Sequence, residues 1–525
     1  MASPVSWIAT TRDQTRASEP RATPRRGGGA LQGWLAALLV LIAAALYLWP
    51  IAGYTRDYDE GVYWQSLRAM AAGHPLFSSV FSSQPPMFLL SVYPFYMAFG
   101  QTIAAARIGV AIFALAGVIA MYWLASQIGG PWAGIIAAAL LAVDPHYLRQ
   151  AITLQSEGPA VALEILAVAL AVAASRRAGR WRMALAALAG VAVAYGTLIK
   201  LLDVVALVPI ALYLGAPLLR ALDSGAGRIP WPSAAGLRMG VRAAARDLGL
   251  VAAGGAIATV IALAPFAGVF GALWDQVVAF HLAAAHTEKW PIGGNLRTIL
   301  GGFKWIGVPA AFAVAVAWWR RDWRMAPPLL WLLASVALLE RQVPLFDHHI
   351  VIIAPCLALM VALAPDTLGP VVGQAMGRWL GLAVMVATLA VFMVTAYQGA
   401  DAARAAARGP DAAAQAQIAA IRSFTTPGEI VVTDDQYAAA AAGRSAPPEL
   451  VDTSYVRAAS GYLTAAQIEA ILARDHIRVV IMGTGRLSAV TGFDSWLHAH
   501  YRKLVSLGDG QDALYVRLAP GQTVA

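Results

Sequence analysis

Three carboxylates stand close together in a chain that carries few charges. The stretch "YTRDYDEGVYW" places Asp57, Asp59 and Glu60 within four residues, although charged residues make up only 13% of the 525-residue sequence. Like charges this close raise one another's proton affinity, which suits a general base. The surrounding tyrosines and tryptophan are typical of a membrane interface, where clustered charge is costly and usually functional. We therefore favour an acidic site over a merely solvated loop.

Two further ionisable residues lie at the ends of apolar runs. Glu157 follows "ITLQS", and its position at a helix start has a sufficient structural explanation in the helix dipole, so a catalytic and a structural role both stay open. Lys200, in "GTLIKLLDV", has little polar company except Asp203. It could extend its charge towards water beside that aspartate, or bind the phosphate of a lipid.

A late cluster, "ERQVPLFDHHIVIIAP", adds Arg341, His348 and His349. Adjacent histidines with a nearby aspartate could bind a metal, but neighbouring side chains on one helix point in different directions. We therefore expect contacts with a phosphate or hydroxyl group, or helix capping, in preference to a metal site. The single cysteine, Cys356, excludes intrachain disulfides and cysteine-based metal sites.

The elements that must position these residues are membrane helices. Hydrophobic residues form 59% of the chain and the mean hydropathy is +0.63, against about 45–50% apolar in soluble domains. The net charge of +9 does not indicate nucleic-acid binding, because the arginines cluster in short stretches between apolar runs. These clusters are Arg176, Arg177, Arg180 and Arg182; Arg220, Arg228, Arg238, Arg242 and Arg246; and Arg320, Arg321 and Arg324.

A membrane-spanning helix needs about 20 apolar residues. Runs of this kind predict eleven spans, near 33–52, 104–126, 131–148, 158–175, 183–199, 203–220, 247–270, 305–319, 327–340, 350–364 and 379–397. If the chain starts inside, every arginine cluster falls in the cytoplasm, as the positive-inside rule requires. The runs 305–319 and 327–340 are short for a span.

The alternation of the predicted spans across the membrane determines on which side the remaining segments lie. Residues 1–30 are expected to be a disordered cytoplasmic tail; a cleaved signal peptide is less consistent with so long a polar region. The apolar stretch Pro85–Gly100 would reverse the orientation as a full span, so we expect a helix that lies in, or dips into, the outer interface. The outer loop 271–304, with His281, His286 and Lys289, could carry an amphipathic surface helix.

The transmembrane module is predicted to cover 31–400, and the composition changes at about Asp411. "EIVVTDD", "PELVDTS", "IRVVIMG" and "ALYVRL" are typical of strands, and "TAAQIEAILARDH" predicts a helix opened by a Thr464/Gln467 capping box. The alternation predicts a soluble α/β domain at 411–525, with a partly parallel sheet, outside the membrane. The "GTG" at Gly483–Gly485 is more typical of a strand-to-loop turn than of a phosphate loop.

The order of these motifs resembles the C-type glycosyltransferases that use polyprenyl-phosphate sugars. The likeness is greatest to the protein O-mannosyltransferases and the lipid A aminoarabinose transferase. It covers about residues 30–365 and rests on a series of stretches in the same order: "RDYDEGVYW", "SSQPPMFLL", "AAARIGVAIFALAGV", "DPHYLRQAITLQSEGPAV", a lysine after the fifth span, and "DHHIVIIAPCLAL".

The resemblance implies an inverting transfer to an acceptor hydroxyl on the outer face of the cell membrane. Asp59 would deprotonate the acceptor, and Glu60 would support Asp59 or position the acceptor; Asp57 and Glu157 are further catalytic candidates. Lys200, Arg107 and Arg341 would hold the departing phosphate, with His348 and His349 as additional phosphate contacts. The implied partners are a polyprenyl-phosphate-linked sugar, a glycan, lipid or protein hydroxyl, and membrane lipids. No cofactor is implied as required, although three carboxylates could bind a divalent metal.

Some features depart from the family, and two other classes stay open. Gln84 stands where many members have a lysine before "PP", and no WWD-type motif of the oligosaccharyltransferases is present. A transporter would need inverted repeats and charges near the bilayer midplane, whereas the polar residues here gather at one face. A non-catalytic scaffold for cell-envelope glycan assembly would not need Asp59. Neither the sugar nor the acceptor can be deduced from these residues.

Overall fold

The protein is a helical bundle that carries a small mixed sheet near its carboxyl end. The computed structural model describes residues 26–223, 234–286, 293–368, 375–507 and 512–517. Of the predicted tail, residues 1–25 lie outside the described residues, while the first helix already begins at Arg26. Lys289 also lies outside them, as does Arg228.

The amino-terminal part contains sixteen described helices. In chain order they are α1 Arg26–Leu48, α2 Tyr58–Ala71, α3 Met87–Ala98, α4 Ile103–Val143, α5 Pro145–Ile152, α6 Glu157–Ser175, α7 Gly179–Ile199, α8 Leu207–Asp223, α9 Ala234–Leu263, α10 Phe270–Trp274, α11 Phe280–Ala284, α12 Gly294–Gly302, α13 Lys304–Arg320, α14 Ala326–Glu340, α15 Ala354–Leu368 and α16 Ala375–Ala406. Short 3₁₀ segments precede α8 at Leu201–Ala206 and α15 at Asp347–Ile353.

Seven helical stretches in the described part of the chain are long and apolar enough to cross a membrane, or eight if the bent pair α12 and α13 is one span. The predicted count of eleven is therefore not reproduced. The predicted span 104–126 and most of 131–148 lie on the 41-residue helical stretch α4, the end of 131–148 continues into α5, and 203–220 and 327–340 lie on shorter helices. Pro85–Gly100 forms only the 12-residue helix α3, as expected for a segment too short to span.

The break inside α4 falls where the sequence places a boundary, between the predicted spans 104–126 and 131–148. Its backbone breaks at Gly130, which has a φ of 83°, a left-handed conformation that glycine adopts without steric cost. Pro131 follows and has no N–H to continue the helix. The two predicted spans are therefore separate helices that meet at a sharp break, and a Cβ on Gly134 would lie 2.7 Å from the Tyr122 carbonyl oxygen, so the second helix packs back against the first.

The bundle has a buried centre and an apolar outside. The window at Asp347–Pro365 is 89% buried and that at Glu157–Ser175 is 78% buried, whereas α1 is only 11% buried. Large apolar side chains such as Trp34, Trp318 and Trp319 are exposed on the peripheral helices. A surface of this kind is matched to lipid rather than water.

The carboxyl-terminal part combines helices with a four-stranded sheet. Its helices are α17 Ala412–Phe424, α18 Gln436–Ala441, α19 Tyr455–Ala459, α20 Ala465–Arg474 and α21 Phe493–His500. Its strands are β1 Val432–Thr433, β2 Val479–Met482, β3 Tyr501–Leu507 and β4 Asp512–Arg517, in the order β1-β2-β4-β3. Strands β1 and β2 are parallel and the other pairs are antiparallel, which confirms a partly parallel sheet.

Local expectations for this part are mostly confirmed. The Thr464/Gln467 capping box opens α20, with both reciprocal hydrogen bonds present. The strand predicted in "PELVDTS" is wrong: a 3₁₀ turn covers Pro448–Leu450, because consecutive prolines remove the donors that a strand ladder needs. Strand β3 lies at the edge of the sheet and was not predicted, because charged residues such as Arg502 and Lys503 interrupt the apolar pattern of a strand.

The sheet-bearing part packs directly on α2, the helix that carries the acidic cluster. The Gln65 side chain donates to the Arg444 carbonyl at 3.1 Å and accepts from the Ala446 N–H at 3.2 Å. A Cβ built on Gly61 would lie 2.4 Å from the Tyr437 backbone nitrogen, so only glycine fits here. The carboxyl-terminal part of the molecule therefore helps to position α2.

Candidate active site

Helix termini from four different parts of the chain meet around Glu157. Asp59 lies in the first turn of α2, Glu157 is the first residue of α6, and Lys200 follows the last residue of α7. His348 and His349 lie in the 3₁₀ turn that precedes α15. Helix ends expose backbone polar groups and are natural places for charged side chains.

Glu157 is the centre of this cluster. The Lys200 Nζ lies 2.8 Å from the Glu157 Oε1, and the Nε2 atoms of His348 and His349 lie 3.7 and 3.8 Å from the same oxygen. The carboxylate is buried, so the ammonium group compensates a charge that would otherwise be costly. Glu157 thus holds the lysine and both imidazoles at one point.

The two histidines converge despite being neighbours in sequence, so the orientation argument against this is wrong. Their rings are 4.5 Å apart at 86°, and His348 also stacks on Phe346. The directions of the Cα–Cβ bonds differ, but the side chains are long enough for both ring tips to reach one acceptor. Glu157, His348 and His349 are consequently the one group of potential metal ligands found among the described residues.

Asp59 stands next to this cluster and is open on one side. Its Oδ2 lies 3.6 Å from the His348 Nε2, and 40% of its side chain is exposed. Desolvation by the surrounding protein, together with the negative charge of Glu157, raises the pKa of Asp59 to about 6. The Lys200 charge opposes the increase.

Asp57 is the cap of α2 rather than part of the central cluster. Its side chain accepts a hydrogen bond from the Glu60 N–H at 3.2 Å, and its Oδ2 lies 3.7 Å from the Arg149 guanidinium. Burial, with the charges of Asp59 and Glu60, raises the pKa of Asp57 to about 6. The start of α2 therefore uses its neighbouring carboxylates differently: Asp57 caps the helix, and Asp59 faces the cluster around Glu157.

Glu60 and Arg107 form a separate buried ion pair and do not face the cluster. The Arg107 Nε and Nη2 donate to the two Glu60 oxygens at 2.8 Å each. The remaining guanidinium hydrogens reach the carbonyls of Ile51 and Gly53 and the hydroxyl of Tyr437. Both side chains are 0% exposed.

Arg107 therefore has no donor to offer a phosphate, which contradicts its expected role. Glu60 likewise accepts from Thr55 and from the Leu154 N–H, so it fixes α2 instead of contacting an acceptor. Arg341 lies exposed at the end of α14, and none of its described contacts joins it to the cluster.

Two residues of the carboxyl-terminal part lie near Asp59, and sequence reasoning did not find them. Asp452 and Arg486 both act electrostatically on the Asp59 carboxylate. Asp452 accepts from the Tyr58 hydroxyl at 3.2 Å, and the Arg486 guanidinium stacks on the Tyr58 ring at 4.0 Å. They lie about four hundred positions from Asp59 in the sequence, and no local pattern links them to it.

Comparisons with known proteins agree with this architecture. Residues 83–232 match the family model of the dolichyl-phosphate-mannose-protein mannosyltransferases, less than a third of the chain. No curated protein sequence matches the chain significantly.

Solved structures of low sequence identity share the fold. The crystal structure of ArnT from Cupriavidus metallidurans in the apo state has a TM-score of 0.60 and 16% identity, over 93% of this chain and 99% of that one. The same protein bound to undecaprenyl phosphate gives 0.60 and 14% over the same shares. The Archaeoglobus fulgidus oligosaccharyltransferase AglB, in complex with an inhibitory peptide and a dolichol-phosphate, gives 0.52 and 13% over 94% and 75%.

The resemblance to C-type glycosyltransferases is confirmed at the level of the fold. The chain is a mostly helical, multi-pass membrane protein.

Proposed function

We propose that this chain is an integral membrane glycosyltransferase that moves a hexosyl or pentosyl sugar from a polyprenyl phosphate to an acceptor hydroxyl. The observation that carries the proposal is Asp59: a half-open carboxylate with a pKa of about 6, in contact distance of His348 and beside the Lys200–Glu157 pair. A base and a cationic phosphate site next to each other are what such a transfer needs. The shared fold with ArnT and AglB supports the same conclusion.

Asp59 is the general base in this proposal. The acceptor oxygen attacks the anomeric carbon opposite the phosphate, while Asp59 takes the hydroxyl proton. The new carbon–oxygen bond forms as the bond between the anomeric carbon and the phosphate oxygen breaks, and the electron pair leaves on the phosphate. Attack from the opposite face inverts the configuration at the anomeric carbon.

Lys200 and the histidines stabilise the departing phosphate. An ammonium group has three N–H donors, and Glu157 takes only one of them, so Lys200 retains two for phosphate oxygens. Glu157 holds the lysine in place, because the Lys200 Nζ lies 2.8 Å from its Oε1. Charge-assisted hydrogen bonds of this kind stabilise a developing anion strongly in a site that excludes water.

A divalent metal is not required in this proposal. Glu157, His348 and His349 place three ligand atoms within 4.8 Å of one another, which fits an ion such as zinc. The Lys200 ammonium, however, already lies 2.8 Å from the same carboxylate oxygen, so a metal would have to displace it. We expect transfer to persist after dialysis against EDTA, and complete loss with recovery by added zinc would contradict this.

The membrane arrangement follows from the same proposal. We infer eleven crossings, with the two halves of α4 and the shorter apolar helices counted separately, and with the amino terminus in the cytoplasm. The active site and the α/β domain of 411–525 then face the outer side, where the arginine clusters do not occur.

Substitution of Asp59 tests the catalytic role. Membranes containing the Asp59→Asn variant should transfer label from a radiolabelled polyprenyl-phosphate sugar at least about 100-fold more slowly than wild type, because the amide cannot accept the proton. Asp401→Asn is a suitable control, since Asp401 is 67% exposed and pairs only with Arg404 among the described contacts. Transfer by Asp59→Asn at the wild-type rate, with both variants folded, would refute the mechanism.

A further inference from the structure

The "GTG" turn after β2 is locked by a buried carboxylate. Asp434 is fully buried, and its Oδ1 accepts from the Gly483 N–H at 2.5 Å and the Thr484 N–H at 3.1 Å. Its Oδ2 accepts from the Leu487 N–H at 3.2 Å. The backbone donors that could have cradled a phosphate are therefore satisfied by the protein itself, which confirms a structural turn. The consequence is a rigid loop with Arg486 at a fixed position.

This loop presents Arg486 to the active site. The guanidinium lies 4.0 Å from the centre of the Tyr58 ring, in the geometry of a cation–π contact. Tyr58 is itself pinned, because its hydroxyl donates to Asp452 and accepts from the Thr453 N–H at 2.8 Å. Tyr58 is adjacent to Asp59 in sequence, so the arginine is held beside the proposed base.

The charge of Arg486 is not neutralised by a direct partner. Other arginines of the outer part are engaged: Arg474 pairs with Glu449 and Asp475, and Arg478 pairs with Glu429. Arg486 forms no ion pair with any residue that the structure describes, and its side chain is partly exposed. The negative charges of Asp59 and Asp452 are near enough to interact with the Arg486 charge, but neither carboxylate forms a direct contact with it among the described residues. A positioned guanidinium with free donors suits a carboxylate or phosphate group.

We propose that Arg486 is a specificity-determining residue that binds an anionic group of the acceptor, next to the hydroxyl that receives the sugar. This inference rests on the proposed transferase function. Lys200 and the histidines lie on the membrane-helix side of Asp59 and serve the donor phosphate, whereas Arg486 reaches Asp59 from the soluble part. An acceptor that approaches from the aqueous side meets Arg486, so its anionic group determines how the hydroxyl is placed.

The test separates acceptor binding from donor binding. A lipid and glycan extract of the native membranes is divided by anion exchange into an anionic and a neutral pool, and each pool is offered to the full-length protein in nanodiscs with a labelled polyprenyl-phosphate sugar. We expect label in the anionic pool. Arg486→Gln should raise the acceptor concentration at half-saturation about tenfold or more and leave that of the donor unchanged.

Two further variants distinguish charge from packing. Arg486→Lys keeps the positive charge and should recover much of the acceptor affinity, and Arg474→Gln, on the outer surface, should behave as wild type. Equal defects in Arg486→Lys and Arg486→Gln would show that only the stacking on Tyr58 matters and would overturn the proposal.

The remaining outcomes distinguish a wrong acceptor assignment from a wrong proposed function. Label in the neutral pool, an unchanged acceptor half-saturation in Arg486→Gln, or a raised donor half-saturation would each overturn the acceptor assignment while the transferase function stands. No transfer by wild type above the level of Asp59→Asn would refute the proposed function, and the acceptor assignment with it.

Discussion

At the scale of single residues, the two carboxylates Glu157 and Asp59 of the candidate site lie in different environments. Glu157 is buried, with the Lys200 ammonium 2.8 Å and the two imidazoles 3.7 and 3.8 Å from its Oε1. Asp59 lies 3.6 Å from His348 with 40% of its side chain exposed, and in the proposed mechanism this open face lets it exchange a proton with a substrate. Environments that push neighbouring acids in different directions are what separates a base from a structural carboxylate.

The pKa of Asp59 predicts the pH dependence of the reaction. A general base must be ionised, and desolvation raises this pKa to about 6, so the rate should fall as the pH drops through about 6 and should level off above about 7. The profile of kcat/KM between pH 4.5 and 8 measures this. The residual rate of Asp59→Asn should lack the step; a rate that rises towards acid pH would contradict Asp59 as the base.

Much of the site, but not all of it, could be predicted from residue types. The sequence singled out Asp59, Glu157, Lys200, His348 and His349 as candidates because each is an ionisable residue at the end of an apolar run, and the structure brings these ends together. Glu60 and Arg107 were misassigned, since a buried ion pair and a substrate-facing pair look alike in sequence. Asp452 and Arg486 were missed because only tertiary packing brings them to Asp59.

At the scale of elements, the Glu60–Arg107 pair fixes α2 and thereby Asp59. Arg107 belongs to α4, while Glu60 also accepts from the Leu154 N–H ahead of α6, and Arg107 reaches the Tyr437 hydroxyl of the outer part at 3.3 Å. One buried pair therefore joins four segments. The proposed base is therefore held in place through its sequence neighbour Glu60, which does not face the candidate site.

Removing one partner of this buried pair should lower the free energy of unfolding far more than removing one partner of an exposed pair. Arg107→Gln leaves the Glu60 carboxylate buried without its counterion, which destabilises by about 3–5 kcal/mol. Thermal unfolding of the detergent-solubilised protein measures the loss, and Arg404→Gln, which breaks an exposed pair with Asp401, should change it by less than about 1 kcal/mol.

A double variant makes the assignment specific. Glu60→Gln combined with Arg107→Gln should be less destabilised than the sum of the single variants, because the two charges compensate each other. Additive losses would mean that the pair is not coupled as its 2.8 Å geometry indicates.

At the scale of the whole molecule, the carboxyl-terminal part packs beside the candidate site. It contacts α2 through Gln65, Tyr58 and the close approach at Gly61. The fold could be assigned to a membrane bundle with an α/β extension from hydropathy and strand patterns. The contact between them could not, because no pattern in one segment reports which distant segment packs on it.

The proposed orientation makes a direct prediction about accessibility. In a Cys356→Ser background, which removes the single, buried cysteine, Ser488→Cys in the outer part and Ala178→Cys between α6 and α7 are both exposed positions. A membrane-impermeant maleimide added to intact cells should label Ser488→Cys and leave Ala178→Cys unmodified until the membrane is opened. The arginines flanking Ala178 hold that loop in the cytoplasm, since translocating them is unfavourable. The reverse labelling pattern would place the active site on the cytoplasmic face and exclude a donor presented from the outer leaflet.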